Sequence, residues 1–366
     1  MGSIHKTTYF FHNKPLFGLD IGHGSLKVMQ FDEKSLEAGN KPRMTGYGTA
    51  SFDESAIDDG AIAKPEIIAE SLLKLFKGHL IGDITTNRVA VAIPSYRTFS
   101  RSIILPNLSN KELDDAVRLE VEQYIPVPID DLYLDYTPAS IHNVKEDGTL
   151  ELFAVAVPKK IVDSYLNLTE MAGLETVLIE STMGSAGRLL AQDNHDDMAS
   201  MIIDFGSISA DLSIYDKTIL ATGTVPAGGL TFTDAIQKKL DVSHAEAALI
   251  KTKYGLGMSK KQKEILNALE PTLQQVVKEI RRMIRYYTER YGSERPIGQV
   301  VTLGGGANMP GLSDYLTNAL RLPVRTYDPW TYIDYKGLQP PAHVDKPMFA
   351  TVAGLGLTNV RRIFSS

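Results

Sequence analysis

Two short stretches of the chain repeat one pattern, and this repeat constrains the fold more than any other feature of the sequence. Residues 19–26 and 203–210 each read apolar, Asp, apolar, Gly, two variable residues, Ser, apolar, with strand-like sequence on both sides. A strand, a tight glycine turn and a second strand form a hairpin whose backbone N–H groups can hold a phosphate chain. The repeat therefore predicts an α/β protein of two similar halves, each of which contributes one hairpin to a shared site.

The polar residues of the two repeats suit a nucleotide and its metal ion. Asp20 and Asp204 follow apolar strands, where a carboxylate can hold hydrated Mg²⁺ beside phosphate groups; a plain turn-forming Asp is the alternative interpretation. Glycines let the backbone approach phosphate closely, while hydroxyl and ammonium groups add hydrogen-bond donors. Ordinary turn glycines and a surface lysine are the alternatives here. The predicted phosphate-binding residues are Gly22, Gly24, Ser25, Lys27, Gly206, Ser207 and Ser209.

A third glycine-rich turn, within residues 300–311, completes the predicted site. It follows a strand-like apolar run, and its glycines permit close approach of the backbone to a ribose or a phosphate. The predicted contacts in this turn are Gly304, Gly305, Gly306 and Asn308. Three such turns in one chain predict a nucleotide-binding cleft between the two halves.

Composition narrows the classes of function. The chain has 366 residues, of which 43% are hydrophobic, so it can bury a substantial core and is expected to form more than one domain. A net charge of -6 disfavours nucleic-acid binding. There are no cysteines, and the eight histidines show no metal-ligand spacing, which argues against a structural transition-metal site. We find no signal peptide and no apolar run of membrane-spanning length, so no bilayer-spanning helix is expected, and the lack of cysteines fits a reducing cytosol.

Hydrophobic periodicity predicts mixed α/β structure with an inserted unit between about residues 95 and 160. The insertion is expected to contain a strand, a helix at 110–125 that ends before Pro126, a hairpin that carries residues 146–148, and another strand. The last residues, 359–366, are expected to form a final turn packed on the core. Further helices are expected at 64–77, 159–172, 230–240, 243–254 and 270–290.

The three glycine turns, in this order and spacing, resemble those of the actin-like ATPases, which include actin, the 70-kDa heat-shock chaperones, sugar kinases and FtsA. The resemblance covers nearly the whole chain and implies a duplicated, ribonuclease H-like fold whose two lobes enclose ATP and Mg²⁺. It also implies that Lys251 contacts adenosine and that Glu180 positions the attacking water. A gapless match places Ala248 where relatives have a ribose-binding Glu, so Glu246 would have to serve from a shifted turn.

The insertion resembles a narrower family. Residues 119–136 are similar to the helix-to-extended segment of the PilM family of type IV pilus assembly proteins, and the insertion lies where PilM and FtsA carry an extra subdomain. This resemblance implies an ATP-binding scaffold of the pilus platform, or of a related secretion or DNA-uptake system, with slow hydrolysis at most. The implied partner is the cytoplasmic N-terminal segment of a PilN-like membrane protein, which would hold the scaffold at the inner face of the membrane without insertion into it. Other platform or motor proteins and self-association are further expectations.

The same resemblance implies domain boundaries. The first lobe is expected to comprise 16–94, 161–199 and a C-terminal helix at 348–366. Residues 95–160 would form the partner-binding insertion, with the peptide in a groove between it and the first lobe. The second lobe would comprise 200–226 and 298–347, with 227–297 as its helical subdomain. On this hypothesis ATP draws the lobes together, and the insertion moves with the first lobe and alters the peptide groove.

Two other functions fit parts of the sequence. A small-molecule kinase of the same fold would use the cleft for a phosphoryl acceptor, but no clear acceptor-activating Asp motif is present. An FtsA-like division scaffold would need a longer tail with a membrane-binding helix than residues 359–366 supply. Acceptor-dependent production of ADP would distinguish the kinase from the scaffold.

Overall fold

The computed structural model describes residues 14–37, 41–106, 108–138, 148–193 and 198–359. Strands and helices are numbered here in chain order. The strands are β1 (Phe17–Ile21), β2 (Ser25–Phe31), β3 (Met44–Ser51), β4 (Ile57–Asp58), β5 (Ala61–Ile62), β6 (Ile81–Gly82), β7 (Arg88–Ile93), β8 (Phe99–Pro106), β9 (Leu132–Pro138), β10 (Thr149–Pro158), β11 (Glu175–Ser181), β12 (Ser200–Phe205), β13 (Ala210–Asp216), β14 (Thr218–Val225), β15 (Gln299–Leu303) and β16 (Val324–Thr326). The helices are α1 (Glu33–Glu37), α2 (Pro65–Gly78), α3 (Asn110–Glu122), α4 (Lys159–Met171), α5 (Thr182–Leu190), α6 (Gly229–Leu240), α7 (His244–Lys253), α8 (Gln262–Tyr291), α9 (Leu312–Leu320) and α10 (Ala350–Gly356).

The first lobe is built on a sheet with strand order β11-β7-β1-β2-β3-β6. Strands β1 and β2 form an antiparallel hairpin, whereas β1 and β11 each run parallel to β7. Apolar faces of α2 and α4 cover one side of this sheet and form one core cluster with it. With this strand order, the β1–β2 turn lies at the carboxyl end of β1, beside the carboxyl end of the parallel strand β7. Ligands bind at the carboxyl ends of the strands in open α/β sheets.

The second lobe repeats this plan with strand order β14-β13-β12-β15-β16. Strands β12 and β13 form the antiparallel hairpin, and β15 runs parallel to β12. Helices α6, α8 and α9 pack on this sheet in a second core cluster. The predicted duplication is therefore visible as two hairpins at equivalent places in two sheets.

Two helices, α5 and α10, lie between the two sheets. Their buried side chains form a third cluster with residues of both sheets, such as Met29 of β2 and Ile202 of β12. Glycine is required where the two helices meet, because a Cβ atom on Gly354 would lie 2.1 Å from the Ser185 carbonyl oxygen. This close helix contact therefore lies between the two lobes.

The inserted unit is a three-stranded sheet, ordered β8-β10-β9, covered by α3. Ser109 and Glu112 form the capping box that starts α3. The helix ends at Glu122 rather than at Ile125 as predicted, because Gln123 begins the turn that leads to Pro126. Residues 139–147, which include most of the expected hairpin turn, lie outside the described residues.

The long helix of the second lobe also differs from its prediction. It was expected to begin at residue 270, but α8 begins at Gln262 and contains Pro271. Burial of Ile265, Leu269 and Leu273 on one face outweighs the cost of an internal proline, about 3 kcal/mol. The apolar stripe, rather than the proline, decides where this helix starts.

The insertion touches the second lobe as well as the first. The Ser102 hydroxyl donates to the Leu220 carbonyl of β14 at 3.0 Å, and the hydroxyls of Ser100 and Thr222 share a hydrogen bond. Glu151 of β10, only 2% exposed, accepts from Arg290 Nη2 at 2.7 Å at the end of α8. The insertion is thus in contact with both lobes in this arrangement, and its movement with the first lobe stays a prediction.

The predicted C-terminal helix at 348–366 is seen in part. Helix α10 spans Ala350–Gly356, and its residues are buried. Residues 360–366 lie outside the described residues, so the expected final turn at 359–366 is not observed. Among the described helices, none has both the length and the apolar sequence needed to cross a bilayer.

Candidate functional site

A cavity of about 560 Å³ lies between the two lobes. Its size falls in the range of small-molecule sites, roughly 300–1,000 Å³. Both hairpin turns and the third glycine turn line it. The predicted residues that it brings together are Asp20, Gly22, Ser25, Lys27, Asp204, Gly206, Ser207, Ser209, Lys251, Gly304, Gly305, Gly306 and Asn308.

The first hairpin presents an ion pair to the cavity. Asp20 and Lys27 lie directly opposite each other on β1 and β2, with 3.3 Å between Lys27 Nζ and Asp20 Oδ2. Both side chains are buried, so each charge depends on the other for compensation. The backbone N–H of Gly22 donates to the Ser25 carbonyl at 2.9 Å and closes the turn.

The second hairpin has the same shape but a different charge. Gly206 N–H donates to the Ser209 carbonyl at 2.9 Å, as in the first turn. Asp204 lies opposite Asp211, which therefore occupies the place that Lys27 has in the first hairpin. Asp211 lines the cavity and was missed by the sequence reasoning. Its equal spacing, seven residues after the repeated Asp, is the signal that could have identified it.

Burial raises the pKa values of both carboxyls in the second hairpin, and like charge adds to the rise at Asp204. The pKa of Asp204 rises to about 7, first through burial and then through the nearby charges of Asp211 and Asp20, while Lys27 opposes the rise. Burial raises the pKa of Asp211 to about 6, and hydrogen bonds oppose that rise. A divalent cation among these carboxylates would relieve their mutual repulsion.

Asp211 also links the second lobe to the base of the insertion. Its carboxylate accepts hydrogen bonds from Thr224 Oγ1 at 2.9 Å and from Ser209 Oγ at 3.2 Å. A further hydrogen bond comes from the backbone of Tyr96, in the segment that joins β7 of the first lobe to β8 of the insertion. One buried carboxylate therefore connects the second hairpin to the base of the insertion.

The third turn fits closely against the second hairpin. Gly304 has a φ of +81°, and a Cβ atom there would lie 2.1 Å from Asp204 Oδ1. The N–H of Gly306 donates to the Phe205 carbonyl at 2.9 Å. Asn308 Nδ2 donates to the Val344 carbonyl at 2.8 Å, which holds the far side of the turn. Glycine at 304 is thus required for the turn to pack beside the carboxylate.

Lys251 reaches the cavity from α7. Its Nζ donates to the Gly229 carbonyl at 2.6 Å and to Thr233 Oγ1 at 2.8 Å, which fixes α7 to the first turn of α6. Burial lowers the pKa of this ammonium group. Glu246, expected as a replacement ribose ligand, instead caps α7 through a hydrogen bond from Ser243 N–H at 3.0 Å and does not line the cavity.

Two predicted site residues do not reach the cavity. Glu180 forms a two-pronged ion pair with Arg188 of α5, with 2.7 Å between Oε2 and Nη2, so its carboxylate is committed away from the cleft. In this arrangement Glu180 does not line the cavity, so its role in positioning water stays a prediction without structural support, whereas Asp211 does line the cavity. Gly24 faces Glu54, because a Cβ atom there would lie 3.0 Å from Glu54 Cγ.

Comparisons with known proteins agree with this architecture. The family described as type IV pilus assembly protein PilM matches residues 18–360. The cell division protein FtsA of Enterococcus faecalis is 25% identical over 246 residues, which are 60% of this chain and 54% of that protein. The chain thus spans about half the length of this relative.

Solved structures show the same fold. A PilM–PilN type IV pilus biogenesis complex matches with a TM-score of 0.78 and 24% identity, over 94% of this chain and 98% of that one. MreB5 of Spiroplasma citri bound to AMPPNP matches with a TM-score of 0.51 and 14% identity, over 93% and 95% of the two chains. The predicted two-lobed, actin-like ATPase fold is confirmed. Because the family match covers nearly the whole sequence, the chain belongs to the PilM family of type IV pilus assembly proteins.

Proposed function

We propose that this protein is a nucleotide-binding scaffold of the inner-membrane platform of a type IV pilus or a related secretion or DNA-uptake system. It binds ATP with Mg²⁺ and the cytoplasmic N-terminal segment of a PilN-like membrane protein, which holds it at the inner face of the membrane. The observation that carries the proposal is the convergence of three glycine turns on one interlobe cavity in a PilM family member.

Different groups of cavity residues would hold different parts of the nucleotide. The two hairpin turns, at Gly22 and Gly206, would hold the phosphate chain through backbone N–H groups, and the turn at Gly304 with Lys251 would hold the adenosine. Asp20 and Asp204 carry oxygen donors of the kind that Mg²⁺ prefers, and because no three acidic or histidine side chains among the described residues are placed to hold a metal ion, the ion would keep most of its water ligands. When bound, Mg²⁺ would neutralise phosphate charge. The MreB5 relative bound to AMPPNP supports a nucleotide in this fold.

The partner surface that we propose lies between the insertion and the first lobe. It comprises Tyr133 of β9 with Lys159, Asp163 and Leu166 of α4, and we call it the β9–α4 surface. Tyr133 is 45% exposed, its hydroxyl donates to Asp163 Oδ1 at 3.0 Å, and Lys159 Nζ lies 5.6 Å from its ring centre. Leu166 follows Asp163 by one helical turn and is also exposed. An exposed aromatic beside an exposed leucine suits an apolar peptide, and the solved PilM–PilN complex supports such a partner.

Tyr133→Ala is expected to weaken binding of the partner peptide about tenfold, since an aromatic anchor at an interface contributes upwards of about 1.4 kcal/mol. Isothermal titration with a synthetic peptide of the partner's cytoplasmic segment measures this change. Tyr254→Ala is the matched control, because Tyr254 is comparably exposed, at 40%, but lies after α7 in the second lobe. Equal loss in both variants would show that the β9–α4 surface is not the partner site.

Nucleotide should change the affinity for the partner, because the insertion is held to both lobes and the cavity lies between them. We expect the dissociation constant of the partner peptide to differ at least about fivefold with and without Mg-ATP, the lower end of typical coupling energies. Fluorescence anisotropy of a labelled peptide measures both values. Equal affinities would mean that the cleft and the peptide groove are uncoupled.

An assay of ADP production separates this scaffold from a kinase. We expect slow turnover at most, with no acceleration by sugars or other hydroxyl acceptors. Asp211 is the cavity carboxylate available to orient a water molecule, so any residual hydrolysis should fall in Asp211→Asn. Fast turnover that depends on an added acceptor would contradict the scaffold and support the kinase.

A further inference from the structure

The segment that joins α7 to α8 carries a dense positive charge in an otherwise acidic protein. Residues 251–263 contain five lysines and no acidic residue, whereas the whole chain has a net charge of -6. Lys251 lines the interlobe cavity, but the other four lysines are exposed, as are a tyrosine and a methionine between them. We define the α7–α8 surface as the six exposed side chains of Lys253, Tyr254, Met258, Lys260, Lys261 and Lys263.

The lysines of this surface are not neutralised by the protein itself. None of the four has a carboxylate partner among the described residues. Lys253 Nζ instead lies 5.3 Å from the centre of the Tyr254 ring. Lys260 and Lys261 precede α8, and Lys263 lies in its first turn, where the helix dipole disfavours cations. This placement costs helix stability, so it points to a role in binding rather than in folding.

The turn that carries Met258 is fixed by hydrogen bonds. Leu256 N–H donates to the Pro310 carbonyl at 2.7 Å, and Gln262 Nε2 donates to the Leu256 carbonyl at 2.9 Å. Gly255 has a φ of +46°, and a Cβ atom there would lie 2.7 Å from the same Pro310 carbonyl oxygen. Met258 follows the buried Leu256 by two residues and is 95% exposed. A fixed backbone therefore presents one apolar side chain to solvent, with lysines before and after it.

This chemistry suits a lipid surface better than a protein partner. The apolar part of the α7–α8 surface is limited to Met258 and Tyr254, which is far less than the roughly 800 Å² that each side of a specific protein interface buries. Lysine is depleted at protein interfaces, whereas each lysine near an anionic membrane raises the affinity about fivefold. Lysine stems can also lie along apolar surface while their ammonium groups reach lipid phosphates.

We propose that the α7–α8 surface binds the headgroup layer of an anionic lipid bilayer, with Met258 between the headgroups and the lysines against lipid phosphates. The contact is peripheral, since a single methionine reaches no further than the boundary of the acyl chains. It is an attachment to the membrane made by this chain itself, separate from the β9–α4 surface. The inference depends on neither the nucleotide nor the peptide partner.

The test is sedimentation of the full chain with lipid vesicles, without nucleotide or partner. Vesicles of phosphatidylglycerol and phosphatidylcholine in equal parts should bind the protein at least about tenfold more tightly than vesicles of phosphatidylcholine alone. Binding should weaken as the salt concentration is raised, because exposed charges are screened.

The triple variant Lys260→Gln, Lys261→Gln, Lys263→Gln should lose affinity for the phosphatidylglycerol vesicles about 100-fold, at about fivefold for each lysine. Its midpoint of thermal unfolding should not fall, because the three charges oppose the dipole of α8. A loss of binding therefore cannot be ascribed to a loss of fold.

Further variants separate a local contact from overall charge. The control Lys74→Gln, Lys77→Gln, Lys111→Gln removes the same charge from exposed positions on α2 and α3, and should bind within about twofold of the unaltered protein. Met258→Ser should lose about tenfold through the loss of apolar burial, whereas Met258→Leu should keep the affinity.

The contrary outcomes are distinct. Equal loss in the two triple variants would show that net charge drives the binding, and would overturn the proposal. No binding by the unaltered protein, or unchanged binding by the first triple variant, would also overturn it, and the α7–α8 surface would then suit an acidic protein instead. Nucleotide and peptide are titrated without lipid, so none of these results bears on the proposed function.

Discussion

Asp204→Asn is expected to abolish nucleotide binding and, at the same time, to stabilise the ligand-free protein at neutral pH. The binding loss should exceed about 100-fold, because removal of one charged partner from a buried contact typically costs 2–5 kcal/mol. Asp204→Ala should show the same loss with the fold intact. Calorimetric titration with Mg-ATP measures the binding, and unchanged affinity would remove Asp204 from the site.

The gain in stability follows from the raised pKa of Asp204. Its folded pKa of about 7 lies above the ordinary value of 3.8, so the folded state binds more protons than the unfolded state between these values. Stability is therefore lost as the pH rises from about 4 to 7, and the loss is complete above pH 7. The variant avoids this loss, so its advantage in the midpoint of thermal unfolding should widen as the pH is raised from 5 to 8. A constant difference across this range would contradict the assignment.

Asp216→Asn provides the matched control for this prediction. Asp216 is another buried aspartate of the second lobe, at the end of β13, but it is bonded to Tyr287 and Arg295 instead of facing the cavity. Its substitution should lower stability, since it breaks a compensated charge network, and should leave nucleotide affinity within about twofold. The two variants are thus expected to move stability in opposite directions.

Arg290→Ala is expected to lower the free energy of unfolding by about 3–5 kcal/mol, the usual effect of leaving a buried charge without its partner. The charge in question is that of Glu151, which accepts from Arg290 Nε at 2.9 Å, from Arg290 Nη2 at 2.7 Å and from the Tyr291 hydroxyl at 2.8 Å. This contact joins the insertion to the second lobe, so the variant should also weaken the coupling between nucleotide and partner. Urea unfolding and peptide binding with and without Mg-ATP measure the two effects.

Two controls show whether the Arg290 effect comes from the buried pair. The double variant Glu151→Gln, Arg290→Met removes both charges and should recover most of the lost stability. Lys74→Ala breaks an exposed ion pair with Glu70 and should change stability by less than about 0.5 kcal/mol. If the double variant is as unstable as Arg290→Ala alone, the loss arises from packing of the arginine rather than from an uncompensated carboxylate.

Local sequence patterns were enough to predict the parts of the cleft that come from local structure. A repeated strand, glycine turn and strand can form only a narrow range of hairpins, and both closed with the same hydrogen bond, from Gly22 to Ser25 and from Gly206 to Ser209. The order of the three turns then indicated a duplicated fold, which the family match and solved structures confirm. Hydrophobic periodicity also predicted the helices α2 and α4, whose observed ends lie within one residue of the predicted ends.

Contacts between distant parts of the chain were not accessible in this way. The role of Glu180 came from the family resemblance, which gave no sign of its ion pair with Arg188 of α5. The pKa of Asp211 depends on its burial and on hydrogen bonds from Ser209, Thr224 and Tyr96, which lie in three different segments. The start of α8 was predicted at residue 270, too late by eight residues, whereas burial of Ile265 and Leu269 extends the helix to Gln262.

Helix α8 connects the region of the third glycine turn to the insertion. Its thirty residues span about 45 Å at 1.5 Å per residue. Near its first turn, Gln262 Nε2 donates to the Leu256 carbonyl, and Leu256 N–H in turn donates to the Pro310 carbonyl just beyond the third glycine turn. Near its last turn, Arg290 donates to Glu151 of the insertion. A tilt of about 5° at the nucleotide end would displace the opposite end by about 4 Å. A small rearrangement around the third glycine turn would therefore become a larger displacement of the insertion at the other end of the helix.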